Sequence, residues 1–151
     1  MKEKTLSVSA IKEGTVIDHI QAGQALKIIR LLRAEEKRVT MGLNLKSQSM
    51  GLKDIIKIEN VFLTESQAGQ IAIFSPSATV NVIENYQVAK KFNVKLPEAI
   101  TGALACPSPR CITNGEKIPT LFTVEENNSH VTLFCKYCEK FFSRDEMHEK
   151  V

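Results

Sequence analysis

Apolar residues recur at every second position at Leu6, Val8 and Ala10, which predicts a strand near the start of the chain. Gly14 punctuates the pattern, and Thr15–Ile20 extends or ends that strand. The spacing then changes. Ala25, Leu26, Ile28, Ile29, Leu31 and Leu32 are apolar, with Lys27, Arg30 and Arg33 interleaved, the signature of an amphipathic helix. Alternation returns at Val39, Met41, Leu43 and Leu45, a second strand, and Ser47 to Gly51 is a turn-rich loop. Leu52 to Phe62 reads as a third strand, with Ile56, Ile58 and Val61 apolar. Glu65 to Phe74 has helical composition, with Thr64 or Ser66 as cap and Pro76 as stop. Ala78 to Ile83 is β-rich, Asn85 marks a turn, and Tyr86 to Phe92 adds a strand. The order β-α-β-β-α-β with one extra strand is the ferredoxin-like pattern, an antiparallel sheet with both helices on one face.

Beyond Leu96–Pro97 the pattern is different. Pro97 to Leu104 reads as a short helix. A cysteine-bearing loop follows, then a β hairpin from Leu121–Val124 and Val131–Phe134 around a turn at Asn127–Asn128. The expected fold class is therefore α+β: a ferredoxin-like α/β sandwich over residues 1–97 and a small β-rich metal-binding domain over residues 98–151. About fifty residues bury too little apolar surface to be stable unaided, so a staple is expected in the second domain.

Composition changes this picture little. The chain has 151 residues, 43 % hydrophobic and 25 % charged, within the range of ordinary soluble domains. No run of eighteen apolar residues is present, and the charged Met1–Lys4 segment has no apolar stretch behind it, so neither a transmembrane helix nor a signal peptide is expected. The cytoplasm is the default compartment. Charge is unevenly divided: residues 1–97 carry +5 and residues 98–151 carry −2 of the total +3. An anionic ligand therefore belongs with the first half.

The cysteines carry the clearest chemistry. Cys106 and Cys111 are separated by four residues, Cys135 and Cys138 by two, and no other cysteine exists in the chain. Two short loops that each present two thiolates complete a tetrahedral zinc shell, with iron or a redox Cys-x-x-Cys as the competing readings. In a reducing compartment such a set is a metal site and not a pair of disulfides. Four protein ligands leave no position for a reacting water, so this metal is structural. Lys136 and Lys140 offset part of the thiolate charge.

Residues 1–97 gather polar groups that suit a nucleotide: Asp18, His19, Lys53, Lys57, Asn81, Tyr86, Lys90 and Lys91. Lysines neutralise phosphates, and Asn and Asp read ribose or base. Neither a P-loop nor a G-x-G-x-x-G fingerprint is present, and a lone histidine or scattered lysines are also what a structural residue and a solvated face look like. The three histidines, His19, His130 and His148, are scattered, and no G-x-S-x-G occurs, which argues against an enzyme.

At this point a resemblance enters. Gly14-Thr-Val-Ile-Asp-His-Ile20, Gly42-Leu-Asn-Leu45, Met50-Gly51, Lys53-Asp54, Ile56-Lys-Ile-Glu-Asn60, Ala78-Thr-Val-Asn81, Asn85-Tyr86 and the Cys-x4-Cys with Cys-Lys-Tyr-Cys-Glu139 resemble the regulatory chains of bacterial aspartate carbamoyltransferase, nearly end to end. The resemblance implies a non-catalytic subunit of pyrimidine biosynthesis. Its first domain takes nucleoside triphosphate effectors (CTP, ATP and UTP), and its zinc domain docks on catalytic chains. Regulatory homodimers then join two catalytic trimers through three regulatory dimers. It places Asp18 and His19 at the nucleotide, His19 near the phosphates, and Lys57 at base and ribose. Asn81 and Lys91 meet ribose and phosphate. The backbone of Ala10, Ile11, Ile83 and Tyr86 meets the base, Val88 forms an apolar wall, and Lys53 reaches the triphosphate or a second nucleotide. Cys106, Cys111, Cys135 and Cys138 become the Zn²⁺ ligands. Four positions depart from the family pattern: Ser9 replaces an acidic residue, Asn93 a basic one, and Ser108 and Arg110 asparagines. The competing reading is a zinc-ribbon nucleic-acid-binding protein, which predicts a basic zinc module.

Overall fold

The computed structural model describes residues 10–128 and 130–150. The strand predicted on Leu6 and Val8 lies outside them, and Ala10 has no regular structure. The chain divides into two units, meeting between Lys95 and Leu96.

The first unit contains β1 (Gly14–Gln21), α1 (Ala25–Leu31), β2 (Val39–Ser47), β3 (Gly51–Glu59), α2 (Glu65–Phe74), β4 (Thr79–Glu84) and β5 (Gln87–Asn93). They form one antiparallel sheet in the order β2-β3-β1-β4-β5, the ferredoxin-like order with β5 added at one edge. One face of the sheet is apolar: Ile17, Ile56, Ile58 and Val80 are fully buried. The helices supply Ile28, Ile71, Ile73 and Phe74 to the same core, and α1 touches both β3 and α2. Thr64 caps α2 by accepting from the Gln67 backbone N–H at 3.2 Å, and the Gln67 side chain returns to the Thr64 N–H at 2.9 Å. Gly14 is required where it stands: its φ is +144°, and a Cβ there would collide with the Ile58 carbonyl oxygen.

Three register shifts interrupt this sheet, one between β4 and β5 at Val82/Ile83 and one on each side of β3. Between Ile17 and Ile20 of β1, Asp18 and His19 stand against the single residue Ile55 of β3. Between Gly42 and Leu45 of β2, Leu43 and Asn44 stand against Asp54. The two beside β3 are β-bulges, and in each of them one residue takes a left-handed conformation, His19 at φ 56° and Asn44 at φ 57°. The extra residue in β1 lets Ile17 and Ile20 both point into the core, although they lie three apart.

The second unit contains β6 (Ala99–Thr101), β7 (Leu104–Ala105), α3 (Ile112–Gly115), β8 (Leu121–Asn127), β9 (His130–Cys135), β10 (Phe141–Ser143), a 3-10 turn at Arg144–Glu146 and β11 (His148–Glu149). Four strands pair in the order β10-β9-β8-β6, and β11 pairs with β7. The predicted hairpin is β8–β9. The predicted helix over Pro97–Leu104 is not formed; the segment is extended. Gly102 sits at φ +77°, which breaks a helix, and β8 offers the backbone a better set of partners. Ala99, Ile100 and Thr101 pair with Thr123, Phe122 and Leu121, and Gly102 N–H donates to the Thr120 carbonyl at 2.8 Å. The core is small: Leu104, Phe122, Leu133 and Met147 are fully buried. Among the described residues no helix is long and apolar enough to cross a membrane.

Candidate functional site

The four thiols meet. Cys106 lies just after β7, Cys111 precedes α3, Cys135 ends β9 and Cys138 lies in the turn toward β10. Their sulfurs all lie within 4.8 Å of one another, with Cys106 and Cys138 at 3.7 Å and Cys111 and Cys135 at 3.8 Å. A Zn–S distance of ~2.3 Å in a tetrahedron sets sulfurs ~3.8 Å apart, close to the two measured pairs, so this cage has the size that a tetrahedral thiolate-bound ion needs. It is far too wide for disulfides, whose S–S length is ~2.05 Å.

Local backbone chemistry holds the ligands in place. Glu139, at φ 60°, donates its N–H to the Cys135 carbonyl at 2.8 Å, and Cys135 N–H donates to the Lys140 carbonyl at 3.0 Å. These bonds close the second cysteine loop into a tight knuckle. In the first loop Cys111 N–H donates to the Ser108 carbonyl at 3.1 Å. The Asn114 side-chain amide donates to the carbonyls of Cys106 at 2.9 Å and Ser108 at 2.6 Å. Burial and the neighbouring thiols push the Cys106 thiol upward. Burial also works to raise Cys111, but the Thr113 hydroxyl, 3.1 Å from its sulfur, and the Thr113 backbone bring it down to about 7. Cys138 is raised, chiefly by burial. One thiol is thus ready to ionise near neutrality, and a cation would draw off the remaining protons. Thr113 and Asn114 were not singled out from the sequence. Their position two and three residues after a ligand, in a segment rich in turn formers, was the available signal.

In the first unit, the face of the sheet opposite the core is polar. Lys57 of β3, Val16 of β1, Asn81 of β4 and Lys91 of β5 are successive cross-strand partners and form one row. The Asn81 amide donates to the Val16 carbonyl at 3.3 Å. The β1 bulge adds Asp18 and His19 beside this row. Asp18 Oδ1 accepts from Lys53 Nζ at 2.9 Å and from the His19 N–H at 2.6 Å. The His19 ring Nδ1 lies 3.1 Å from the Thr79 hydroxyl, and Ser77 donates to the His19 carbonyl at 2.8 Å. Burial opposes ionisation of Asp18, but Lys53 and the His19 N–H prevail and hold its pKa below the ordinary value. Burial lowers the pKa of Lys57, while Asp18 acts in the opposite sense. At the far end of β4, Ile83 pairs with Val88, and the Tyr86 N–H donates to the Lys12 carbonyl at 3.0 Å. Ile11 and Ile83 are buried, whereas Ala10, Tyr86, Val88 and Lys91 are exposed.

Asp54 has a different place from its neighbour Lys53. Its carboxylate is buried and accepts three backbone N–H groups: Gly23 at 3.0 Å, Ala25 at 3.2 Å and Asn44 at 2.9 Å. It ties the start of α1 and the β2 bulge to β3, which is a structural task.

The chain is similar to known proteins over nearly its whole length. Residues 6–95 match the family described as aspartate carbamoyltransferase regulatory chain, allosteric domain, and residues 98–148 match its metal binding domain. The regulatory chain of Photobacterium profundum is 50 % identical, covering 99 % of this chain and 98 % of that one. That of Chromobacterium violaceum is 52 % identical over 93 % of this chain and 94 % of its own. The Aeromonas hydrophila chain is 49 % identical over 99 % of each. With this fold, a thiol cage in the matched metal-binding segment and likeness from end to end, the chain belongs to the family of aspartate carbamoyltransferase regulatory chains, the non-catalytic subunits that pair an allosteric domain with a metal-binding one.

Proposed function

We propose that residues 1–97 bind nucleoside triphosphates on the open face of their sheet and that residues 98–151, stapled by one Zn²⁺, dock on the catalytic chains. The observation that carries the effector reading is the row Lys57–Val16–Asn81–Lys91 with Asp18, His19 and Lys53 beside it. Cations there suit a polyphosphate, and the amide and carboxylate suit ribose and base. Ile11, Ile83 and Val88 with the backbone of Ala10 and Tyr86 supply an apolar end for the base. CTP, ATP and UTP share this face. A nucleotide changes catalysis only through a difference in its affinity for two states of the assembly, with coupling of ~1–3 kcal/mol.

The proposed assembly is two catalytic trimers joined by three regulatory dimers in the cytoplasm. The sheet edges support self-association through β2. The β5 edge carries Lys90 and Lys91, which discourage edge pairing, whereas β2 exposes Met41 and Leu43. A nucleic-acid-binding zinc ribbon is disfavoured by the net −2 of residues 98–151, to which thiolates add further negative charge.

The test is to mix the zinc-loaded chain with catalytic trimers of aspartate carbamoyltransferase and measure complex mass with and without chelator. Zinc-dependent formation of a larger complex whose activity responds to CTP, ATP or UTP is the expected result. Metal-loaded chain that forms no complex refutes the assembly role and moves oligonucleotide binding to the front.

A further inference from the structure

Asn114–Gly115 is the only Asn-Gly pair in the sequence, and it sits three residues beyond the second cysteine. Asn-Gly is the dipeptide most prone to deamidation, because the glycine nitrogen meets no Cβ as it approaches the asparagine side chain. Here that approach is blocked twice. The Asn114 amide nitrogen is held by the carbonyls of Cys106 and Ser108, at 2.9 and 2.6 Å. Its backbone lies in the short helix α3, with Asn114 N–H on the Cys111 carbonyl and Glu116 N–H on the Ile112 carbonyl. Ring closure requires the amide to leave both carbonyls and the backbone to leave the helix. Cys106 is itself in the thiol cage, and Ser108 lies between the two ligands of the first loop, so this clamp is as stable as the loop.

We propose that Asn114 is a deamidation site guarded by the metal: it is inert while the cage is filled and converts once the ion is lost. In the conversion the Gly115 nitrogen loses its proton and attacks Asn114 Cγ. The new N–C bond replaces the Cγ–Nδ2 bond, and ammonia leaves. Water then opens the imide at either carbonyl to give aspartate or isoaspartate. No oxidant is needed, and water is the only other reactant. The product turns a donor into an acceptor. A carboxylate at position 114 faces the two carbonyl oxygens that the amide held, and the isoaspartate also lengthens the backbone beside Cys111. The first loop then does not close again, and metal loss becomes irreversible. The second unit thereby carries a chemical record of how long it has spent without its ion.

The inference rests on the metal reading above, and elemental analysis of the loaded chain checks that reading separately. The experiment incubates metal-loaded and chelated full-length chain side by side at neutral pH. Peptide mass mapping follows amide-to-acid conversion at Asn114, and zinc is then returned to each sample. The expected result is conversion at Asn114 on the order of tenfold faster or more in the chelated sample, since reaction from an opened segment follows the opened population. Zinc uptake is lost in step with it. Gly115→Ala is the control: a Cβ there meets nothing within 4 Å, so the fold is kept while ring closure is hindered. It should retain full zinc uptake after the same incubation. Asn114→Asp reads the product directly and should lose its ion to a competing chelator on the order of tenfold faster or more, as other changes next to metal ligands do. Equal conversion with and without metal, or full zinc uptake by converted chain, overturns the proposal. If the chain takes up no ion at all, the metal reading falls with it. Loaded chain that converts at the chelated rate sinks this inference alone.

Discussion

Replacing Asp54 with alanine removes the acceptor of three backbone N–H groups at once. Their surroundings decide the cost. Ala25 is buried, so its N–H finds no water and loses about 1–3 kcal/mol. Gly23 and Asn44 are exposed, so each loses only the net value of one hydrogen bond, about 0.5–1.5 kcal/mol. Together Asp54→Ala should destabilise the first unit by roughly 2–6 kcal/mol, a large share of a typical ~5–15 kcal/mol domain stability. Asp54→Asn keeps one oxygen. Turned toward α1, that oxygen retains Gly23 and Ala25, while the new NH2 meets the exposed Asn44 N–H donor to donor, so the loss should be clearly smaller than alanine's. The assay is urea unfolding of the metal-loaded chain, with amide exchange at Ala25 and Asn44 assigning the transition to this unit. With a slope of ~1–3 kcal/mol/M, the alanine variant should unfold at a midpoint lower by about 0.7 M or more. A fall of under ~0.5 kcal/mol, or an asparagine variant no better than alanine, would refute the reasoning that the buried Ala25 N–H dominates the cost.

Three further outcomes are expected. Chelation or Cys138→Ala should unfold residues 98–151 while amide protection in β1, β3 and β4 survives, since structural thiolate sites contribute folding energy directly; unchanged exchange in β8 and β9 would count against it. A carboxyl titration should find Asp18 below 3.8, and Lys53→Met should raise it. Because the folded pKa lies below the unfolded one, Asp18 stabilises the fold at neutral pH, and that contribution fades as acid takes the solution below 3.8 and through the folded value. Leu43→Lys should weaken the proposed self-association with little effect on folding, because Leu43 is 47 % exposed on the edge strand β2; a parent chain that sediments as a monomer at every concentration, or a variant that dimerises as well as the parent, would remove β2 as the dimer surface.

Much of this molecule is legible in its sequence. The helix over Glu65–Phe74 and its Thr64 cap follow from local rules, and so does the β8–β9 hairpin. The four cysteines meet as their spacing requires. The extended run at Ala99–Thr101 was not legible, because its conformation is set by pairing with β8 some twenty residues later, while its own residues read as a helix start. The bulges were hidden for a related reason. Gly14-Thr-Val-Ile-Asp-His-Ile20 shows no interruption, and only pairing with β3 reveals that Asp18 and His19 share one partner. The polar residues of this face could be gathered from their chemistry, but their separate roles came only through resemblance, since the row Lys57–Val16–Asn81–Lys91 is drawn from four strands and its members lie up to 75 residues apart in the chain.

The two bulges have a consequence for how β3 can move. They flank it on opposite edges and meet it at neighbouring residues, Ile55 toward β1 and Asp54 toward β2. A plain strand slips along its neighbours by breaking and remaking identical bonds. This one is keyed on both sides, like a shaft with two pins at the same height, and a slip in either direction would have to shear both pins together. A displacement applied at Lys53 or Lys57 would therefore meet resistance to sliding within the sheet. The two bulges favour movement of β1, β2 and β3 together as one plate, which would couple the polar face to the β2 edge.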